Sequence, residues 1–346
     1  MRIDFLSNHG LMGGGEVMLF QLAGVARELG HTSVVIAPED SEVAERARSL
    51  ALPFVGVEAK GRRQLMRRYH AYSRASDADV LWCNGPVPSM ATIGVRTRRI
   101  VHLHQHPTGS QATLLRLARR SAAATLVPSH TMAAMVKGTT AFPNWTDAPP
   151  PDFTRRIQDS AAVRIGFIGR ISTVKGLDVL ADSVALLPSN LKVRLIVAGD
   201  DRFVPAAESA PVRAALERIS GVTEVVGWTN RDSFHASIDL LVVPSTWDEP
   251  FGLVAAEAMA RRTPLLVTKS GALPEIVGPD HPWIVRRRDP EALAAAMAEM
   301  IADPERVRES VIRAENRWNT HFSPGAGTER LTQFLSAFGD QRPEAV

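Results

Sequence analysis

The chain has a single cysteine, Cys83, in 346 residues. One thiol excludes a disulfide framework within the chain and any four-cysteine zinc site, and it fits a reducing compartment. No apolar run reaches the roughly 18 residues needed to cross a bilayer. The opening MRIDFLSNHG reads as a short apolar strand and a polar turn. It lacks the cationic region, longer apolar run and small-residue cleavage site of a signal peptide, so a cytoplasmic protein is expected. Helix-turn-helix, zinc-finger and aromatic RNA-binding signatures are also missing. The slight excess of basic residues therefore does not point to nucleic acid.

What is present is a soluble globular composition, 45% hydrophobic and 22% charged, in a chain long enough for about two domains. The +3 net charge hides an asymmetry. Residues 1–150 carry 17 Lys+Arg against 11 Asp+Glu, whereas the remainder carries 23 against 26. Basic residues cluster at Arg62, Arg63, Arg67 and Arg68, at Arg96, Arg98 and Arg99, and at Arg116, Arg119 and Arg120. Such clusters are either solvated helix faces or a surface for anionic partners such as lipid headgroups. Residues 61–70 could form a basic amphipathic helix for peripheral membrane contact.

Each half starts with an apolar strand, a Gly-containing loop and an amphipathic helix. In the first half these are Ile3–Leu6, Gly13-Gly14-Gly15 and a helix from about Glu16. Met18, Leu22, Val25 and Leu29 recur at helical spacing before Gly30. Further strands are expected at Ser33–Ala37, Val80–Cys83, Ile100–His104 and Thr125–Val127. The Pro-rich stretch 143–161 reads as a linker. The pattern restarts at Val163–Ile168, with a helix from about Leu177 and strands at Val193–Ala198, Glu224–Val226, Leu240–Val243 and Pro264–Thr268. This alternation predicts an α/β protein of two doubly wound, Rossmann-like domains facing across a cleft. The expected divisions are 1–150, a linker at 151–162, a second domain at 163–325, and a helix within 326–340 that returns to the N-terminal domain or packs elsewhere. Ligands of such sheets bind beyond the carboxyl ends of the strands.

The segment Trp247–Glu257 carries the strongest chemical signal. Pro250 and Gly252 force a turn after an apolar strand, and Val254–Ala260 favours helix. A helix N-terminus therefore lies near Phe251, Gly252 and Leu253, where unpaired N–H groups suit phosphate or sugar oxygens. Glu249 on the loop and Glu257 about one turn into the helix could accept hydrogen bonds from sugar or ribose hydroxyls. On spacing alone, a solvent-facing Glu257 and a plain loop charge at Glu249 stay open. Gly13-Gly14-Gly15 is neither a Walker loop nor GxGxxG. Glu16 equally suits the first turn of a helix. His102, His104 and His106 alternate along one strand face. No second Cys/His cluster accompanies them, so a metal site is not expected. Asp77-Ala78-Asp79 is read as the polar lead-in to a strand.

At this point the chain resembles a family. EPFGLVAAEAMA, Glu249 to Ala260, is similar to the signature of the retaining glycosyltransferases of family 4, the group 1 enzymes with the GT-B fold. Gly169-Arg170-Ile171-Ser172-Thr173-Val174-Lys175-Gly176 resembles the family's GR…KG loop. Ile196–Asp200, Val226-Gly227-Trp228, Val243-Pro244-Ser245, Pro274–Val277 and Pro143–Asp147 occur in the family's order. The resemblance covers about residues 1–335. Two departures stand out. Arg261-Arg262-Thr263 occupies a place that usually holds glycine, and Ser270-Gly271-Ala272-Leu273 replaces a pair of glycines before the Pro-Glu segment. The latter puts a standard hexose donor in doubt more than the reaction class.

The resemblance implies roles residue by residue. Arg170 and Lys175 would grip the donor's diphosphate, Glu257 the ribose hydroxyls and Glu249 a hydroxyl of the donor sugar. The backbone at Phe251, Gly252 and Leu253 would meet the sugar or phosphate. Gly169 would shape the phosphate loop, and Gly227 and Trp228 would lie near the base. Gly14 and Gly15 would let backbone approach the donor phosphate and the acceptor. His104, ahead of His106 and His102, would face the donor sugar. The implied activity is retaining transfer from a nucleoside-diphosphate-sugar, UDP favoured, to a hydroxyl of a lipid, glycan or secondary metabolite. No cofactor and no required divalent metal are expected. The alternatives are a sugar-nucleotide epimerase of the same fold and a non-catalytic nucleotide-sugar-binding module.

Overall fold

The computed structural model describes residues 1–155, 162–202 and 204–340. The chain forms two compact units. One comprises Met1–Asn144 with the chain from Gly327 onward; the other is Trp145–Ala326. Residues 156–161, part of the expected linker, lie outside the described residues.

The first unit contains strands β1 (Arg2–Leu6), β2 (Thr32–Pro38), β3 (Phe54–Val57), β4 (Val80–Asn84), β5 (Arg98–His102), β6 (Ala124–Val127) and β7 (Thr140–Ala141). Helices α1 (Gly14–Glu28), α2 (Glu42–Ser49), α3 (Arg62–Ala75), α4 (Pro86–Ala91), α5 (Gly109–Arg120) and α6 (His130–Met135) connect them. The strands form one parallel sheet in the order β3-β2-β1-β4-β5-β6-β7. β4, the run Val-Leu-Trp-Cys-Asn, is buried along its whole length because helices cover both faces. Trp82 anchors an aromatic cluster with Phe5, Phe142 and Phe334, ring centroids 5.6–6.2 Å away.

The second unit contains β8 (Val163–Ile168), β9 (Val193–Ala198), β10 (Thr223–Gly227), β11 (Leu240–Val243), β12 (Leu265–Thr268) and β13 (Ile284–Val285). Its helices are α7 (Leu177–Ala185), α8 (Ala206–Arg218), α9 (Arg231–Ser237), α10 (Leu253–Ala260), α11 (Leu273–Val277), α12 (Pro290–Ala302) and α13 (Pro304–His321). The sheet is again parallel, in the order β10-β9-β8-β11-β12-β13. Successive residues of β9 and β11 serve opposite cores. Leu195, Val197, Leu240 and Val242 pack on one side, and Ile196, Ala198, Leu241 and Val243 on the other. Two buried faces explain why these strands read as continuous apolar runs rather than alternating ones. Each fully buried Leu or Ile contributes on the order of 2 kcal/mol.

The last helix, α14 (Pro324–Asp340), begins ahead of the expected 326–340 segment. Beyond Gly327 it packs on the first unit. Phe334 meets Trp82, Arg98 stacks 3.8 Å over Phe338, and Arg330 donates to the Pro143 carbonyl. The break between units falls at Asn144–Trp145. Thr146 belongs to the second unit, where its N–H donates to the Phe322 carbonyl at 3.0 Å and its hydroxyl accepts from the Trp318 indole at 2.8 Å. Arg155 also ties the chain to this unit, donating to the carbonyls of Ile238, Asp239 and Arg262.

Several expected elements shift. β5 ends at His102, two residues earlier than expected, so His104 lies in the loop beyond the strand. The short edge strands β3, β7 and β13 carry too few apolar residues to stand out in the sequence. Arg262 adopts φ +54°, a left-handed conformation normally reserved for glycine. The departure at Arg261-Arg262-Thr263 thus keeps the backbone turn that the family's glycine would make. Among the described residues no helix is long and apolar enough to cross a membrane.

Candidate active site

In both units the strand order reverses next to the first strand, between β1 and β4 and between β8 and β11. Loops leaving the carboxyl ends of adjacent strands diverge at such a switch point and open a crevice for ligands. Most of the residues singled out in the sequence lie on elements that leave these two places, whereas Gly227 and Trp228 follow β10 at the edge of the second sheet.

In the second unit the loop after β8 carries Gly169, Arg170 and Lys175, and the loop after β11 carries Ser245 and Glu249. Glycines let these loops close on their neighbours. A Cβ on Gly176 would sit 1.9 Å from the Pro244 carbonyl oxygen, and one on Gly199 would sit 2.0 Å from that of Gly169. Thr246 fixes the first contact, its N–H donating to the Val174 carbonyl at 3.0 Å and its hydroxyl to that of Thr173 at 2.8 Å. Lys175 Nζ is thereby delivered 2.7 Å from Glu249 Oε1, and Ser245 Oγ donates to the same oxygen at 2.6 Å. The ammonium also lies 5.5 Å from the Trp247 ring. Burial alone would raise the Glu249 pKa. The charge and hydrogen bond of Lys175, with the Ser245 hydroxyl, outweigh it and hold the carboxyl below its usual value. Arg170 is exposed, with no hydrogen bond or ion pair among the described residues.

Gly252 caps α10 at φ +102°, where a Cβ would strike Leu273 at 2.5 Å. Phe251 is buried edge-on against Phe322, ring centroids 5.4 Å apart. The first N–H groups of α10, from Leu253, precede any carbonyl that could pair with them within the helix. Glu257 lies on α10 with its carboxylate buried, and Arg231 donates to its Oε1. Burial raises its pKa; Arg231 and Arg261 pull it down, and Asp147 adds to the rise. Both glutamates are therefore buried and partnered, which rules out the plain solvent-facing reading. The Gly271 backbone, at φ +54°, presses on Glu249, and the N–H of the fully buried Ala272 donates to the Glu249 carbonyl at 2.8 Å. Gly227 lies at the end of β10 with its carbonyl accepting from Gly199 N–H at 2.8 Å. Trp228, which follows it, is 70% exposed.

In the first unit Gly14 and Gly15 open α1 rather than forming a free turn. A Cβ on Gly15 would come 3.0 Å from His104 Cδ2, so the imidazole sits directly on the helix N-terminus. Asn84 Nδ2 donates to the Gly15 carbonyl at 3.0 Å, which turns Asn84 Oδ1 toward His104 Nε2 at 2.7 Å. His104 is thus the Nε2–H tautomer, and its buried Nδ1 takes no hydrogen bond. Burial pushes its pKa down to about 3, so the ring stays neutral. His102 packs beside it, ring centroids 4.1 Å apart, and is held by the Trp82 indole at 3.4 Å. Of the three alternating histidines, His102 is buried in the core, and His106 lies further along the loop.

Glu16 is buried near the Asn8 backbone, and desolvation raises its pKa to about 7. Its nearest cationic candidate is His9, 3.8 Å away, whose own pKa is lowered by burial. Beside it a pocket of about 420 Å³ is lined by Asn8, His9, Arg62 and Gln105 with an apolar wall including Leu65 and Val87. Asp77 and Asp79 bind Arg2, consistent with a polar lead-in to β4. Among the described residues no three His, Cys, Asp or Glu side chains gather as a metal site.

Known proteins identify the family and the fold. Residues 156–317 match the family described as Glycosyl transferases group 1, and residues 12–145 match Glycosyltransferase Family 4. The chain belongs to the group 1, family 4 glycosyltransferases. A D-inositol 3-phosphate glycosyltransferase of Segniliparus rotundus is 33% identical over 151 residues, 42% of this chain and 33% of that one. The lipopolysaccharide core biosynthesis mannosyltransferase LpsB of Rhizobium meliloti is 31% identical over 175 residues, 48% of this chain and 49% of that one. The matches thus span about a third to a half of these curated relatives. Among solved structures, Anabaena Alr3699/HepE in complex with UDP and glucose superposes with a TM-score of 0.84 at 20% identity, covering 97% of this chain and all of that one. Sucrose-phosphate synthase from Thermosynechococcus elongatus gives 0.82 at 18% identity, covering 99% and 100%. These likenesses establish the GT-B fold.

The sequence missed Asn84, which fixes the His104 tautomer, and Arg231, which binds Glu257. Asn84 at least ends an apolar strand, where site residues concentrate. Arg231 left no signal, since it is one exposed-type residue in a polar turn.

Proposed function

We propose that this glycosyltransferase moves a sugar from a nucleoside diphosphate to an acceptor hydroxyl with retention at the anomeric carbon. The observation that carries the reading is the Lys175–Glu249–Ser245 cluster beside the N-terminus of α10, at the switch point of the second unit. Lys175 and Arg170 bind the diphosphate, assisted by the N–H groups at Phe251, Gly252 and Leu253. Glu249 accepts from a hydroxyl of the sugar and Glu257 from the ribose. Gly169 gives backbone access to the phosphates, and Gly227 and Trp228 flank the base. UDP is the favoured nucleotide, because HepE of the same fold was crystallised with UDP and glucose.

Neither glutamate is a free nucleophile, since a cation holds an oxygen of each. This favours attack from the face that the diphosphate leaves. The bond from C1 to the phosphate oxygen breaks, the acceptor oxygen bonds to C1, and the acceptor's proton passes to the departing phosphate. Lys175 and the helix N-terminus stabilise the developing charge, so no divalent metal is required. In the first unit, Gly14, Gly15 and the neutral His104 present uncharged groups, and the pocket beside Glu16 receives the acceptor. The exposed arginines of α3 offer electrostatic contact with an anionic membrane. Insertion is not part of it, because Leu65 and Tyr69 face inward.

The test is incubation with UDP-, GDP-, ADP- and dTDP-sugars and an acceptor panel, with the product's anomeric configuration read by NMR coupling. An inverted product overturns the mechanism. Turnover of nucleotide sugar to its epimer without acceptor would instead assign an epimerase.

A further inference from the structure

Glu257 is held by a network of side-chain pairs between α9 and α10. The first two residues of α9 are Arg231 and Asp232; α10 presents Glu257, and Arg261, one turn on, caps its C-terminus. Arg231 donates to Glu257 Oε1. Arg261 Nε donates to Asp232 Oδ1 at 2.7 Å, and its Nη1 reaches the Glu257 backbone carbonyl at 3.3 Å. Asp232 suits the N-terminus of α9, but a cation there opposes the helix dipole. Arg231 therefore does not serve its own helix. It serves the carboxylate across from it, while the buried Arg261 pairs with the half-buried Asp232 and clamps the two helices together. Asn230 caps α9 through the Ser233 N–H at 3.1 Å, so the register of Arg231 is fixed.

On the reading that Glu257 accepts from the ribose, we infer that Arg231 is a positioning residue that selects ribonucleotide over 2′-deoxyribonucleotide diphosphates. By taking Oε1 it leaves Oε2 for ribose hydroxyls, and its charge opposes the rise in pKa that burial causes. A carboxylate built to accept from a hydroxyl is left under-bonded when that hydroxyl is missing, and this is how a site rejects the lesser ligand strongly. Without Arg231 the carboxylate turns or takes a proton, and the preference goes with it.

The experiment is calorimetric titration of the full chain with UDP and 2′-deoxy-UDP, and with the GDP and ADP pairs. Wild type, Arg231→Ala and Arg231→Lys are compared, and the melting temperature of each free protein is recorded. The wild type is expected to prefer the ribonucleotide by about tenfold or more, the scale of a hydrogen bond to a charged group. Arg231→Ala should bring the two within about twofold by weakening the ribonucleotide alone, and Arg231→Lys should recover part of the gap. An unchanged ratio, or equal loss of both ligands, overturns the inference. Failure of the wild type to bind any nucleoside diphosphate overturns the functional reading itself, and is distinguishable because it appears before any substitution.

Discussion

The two switch points share one topology and treat a buried carboxylate in opposite ways. In the second unit Glu249 is met by Lys175 and its pKa falls. In the first, Glu16 has only a half-exposed imidazole nearby and its pKa climbs to about 7. Both carboxylates are almost fully buried, so burial cannot explain the difference; the cation does. One crevice is a fixed array of charge, and the other is neutral, with a proton-free His104 nitrogen and a carboxyl near its titration point. Diphosphate binding suits the first kind, and recognition of uncharged hydroxyls suits the second.

The sharpest way to break this contrast is to remove the cation. Lys175→Ala is expected to lower kcat/KM by roughly 10²–10³-fold, the scale of losing one preorganised group aimed at developing charge. The buried Glu249 then lacks its counter-charge, so its pKa should rise above the usual carboxylate value, as Glu16 already does. Turnover assays and carboxyl titration by NMR check both halves of the statement. Near-normal turnover with the fold intact would remove Lys175 from the diphosphate site.

Glu16 offers the converse test. Its folded pKa of about 7 lies above the ordinary 4.5, so the folded state binds the extra proton between those values. Stability then falls as pH rises through that window, and the penalty is fully present above pH 7. At 1.36 kcal/mol per pKa unit this is up to about 3 kcal/mol. Glu16→Gln should abolish most of that slope. The variant should therefore gain on the wild type between pH 5 and pH 8 in denaturant melts. Parallel pH profiles for the two proteins would show that Glu16 is not desolvated in solution.

Much of this was legible in the sequence, and the limits have physical causes. The long central strands were visible because helices bury both their faces, which forces the continuous apolar runs of Leu195–Ala198 and Leu240–Val243. The two- to four-residue edge strands β3, β7 and β13 demand no such run. Glu249 and Glu257 stood out beside the turn that Pro250 and Gly252 force, and Arg170 and Lys175 through the resemblance of their loop to the family's. Their partners did not: nothing local marks Arg231, since its role depends on a helix 26 residues away in the chain. That His104 lies in the loop beyond β5 rather than on the strand was not legible, because it depends on where pairing with β6 stops. Arg262 shows the reverse case, a residue that looks wrong for its turn and is accommodated at φ +54°.

The smallest expected effect separates two glycines of one helix. Gly24 lies inside α1 with nothing within 4 Å of an added Cβ. Gly24→Ala should stabilise the protein by about 0.5–1 kcal/mol, the ordinary helix gain. Gly15 lies in the first turn of the same helix, but its Cβ would meet His104 at 3.0, 3.1 and 3.3 Å. The ring cannot easily give way, because Asn84 holds its Nε2 at 2.7 Å and His102 packs behind it. Gly15→Ala should therefore cost about 1 kcal/mol, in the range of modest overpacking. It should also disturb the His104 resonances in imidazole NMR, which Gly24→Ala should leave in place. Equal stabilisation by both alanines, with His104 undisturbed, would mean that the imidazole is free to move and that the neutral crevice is not preorganised in the way the charged one is.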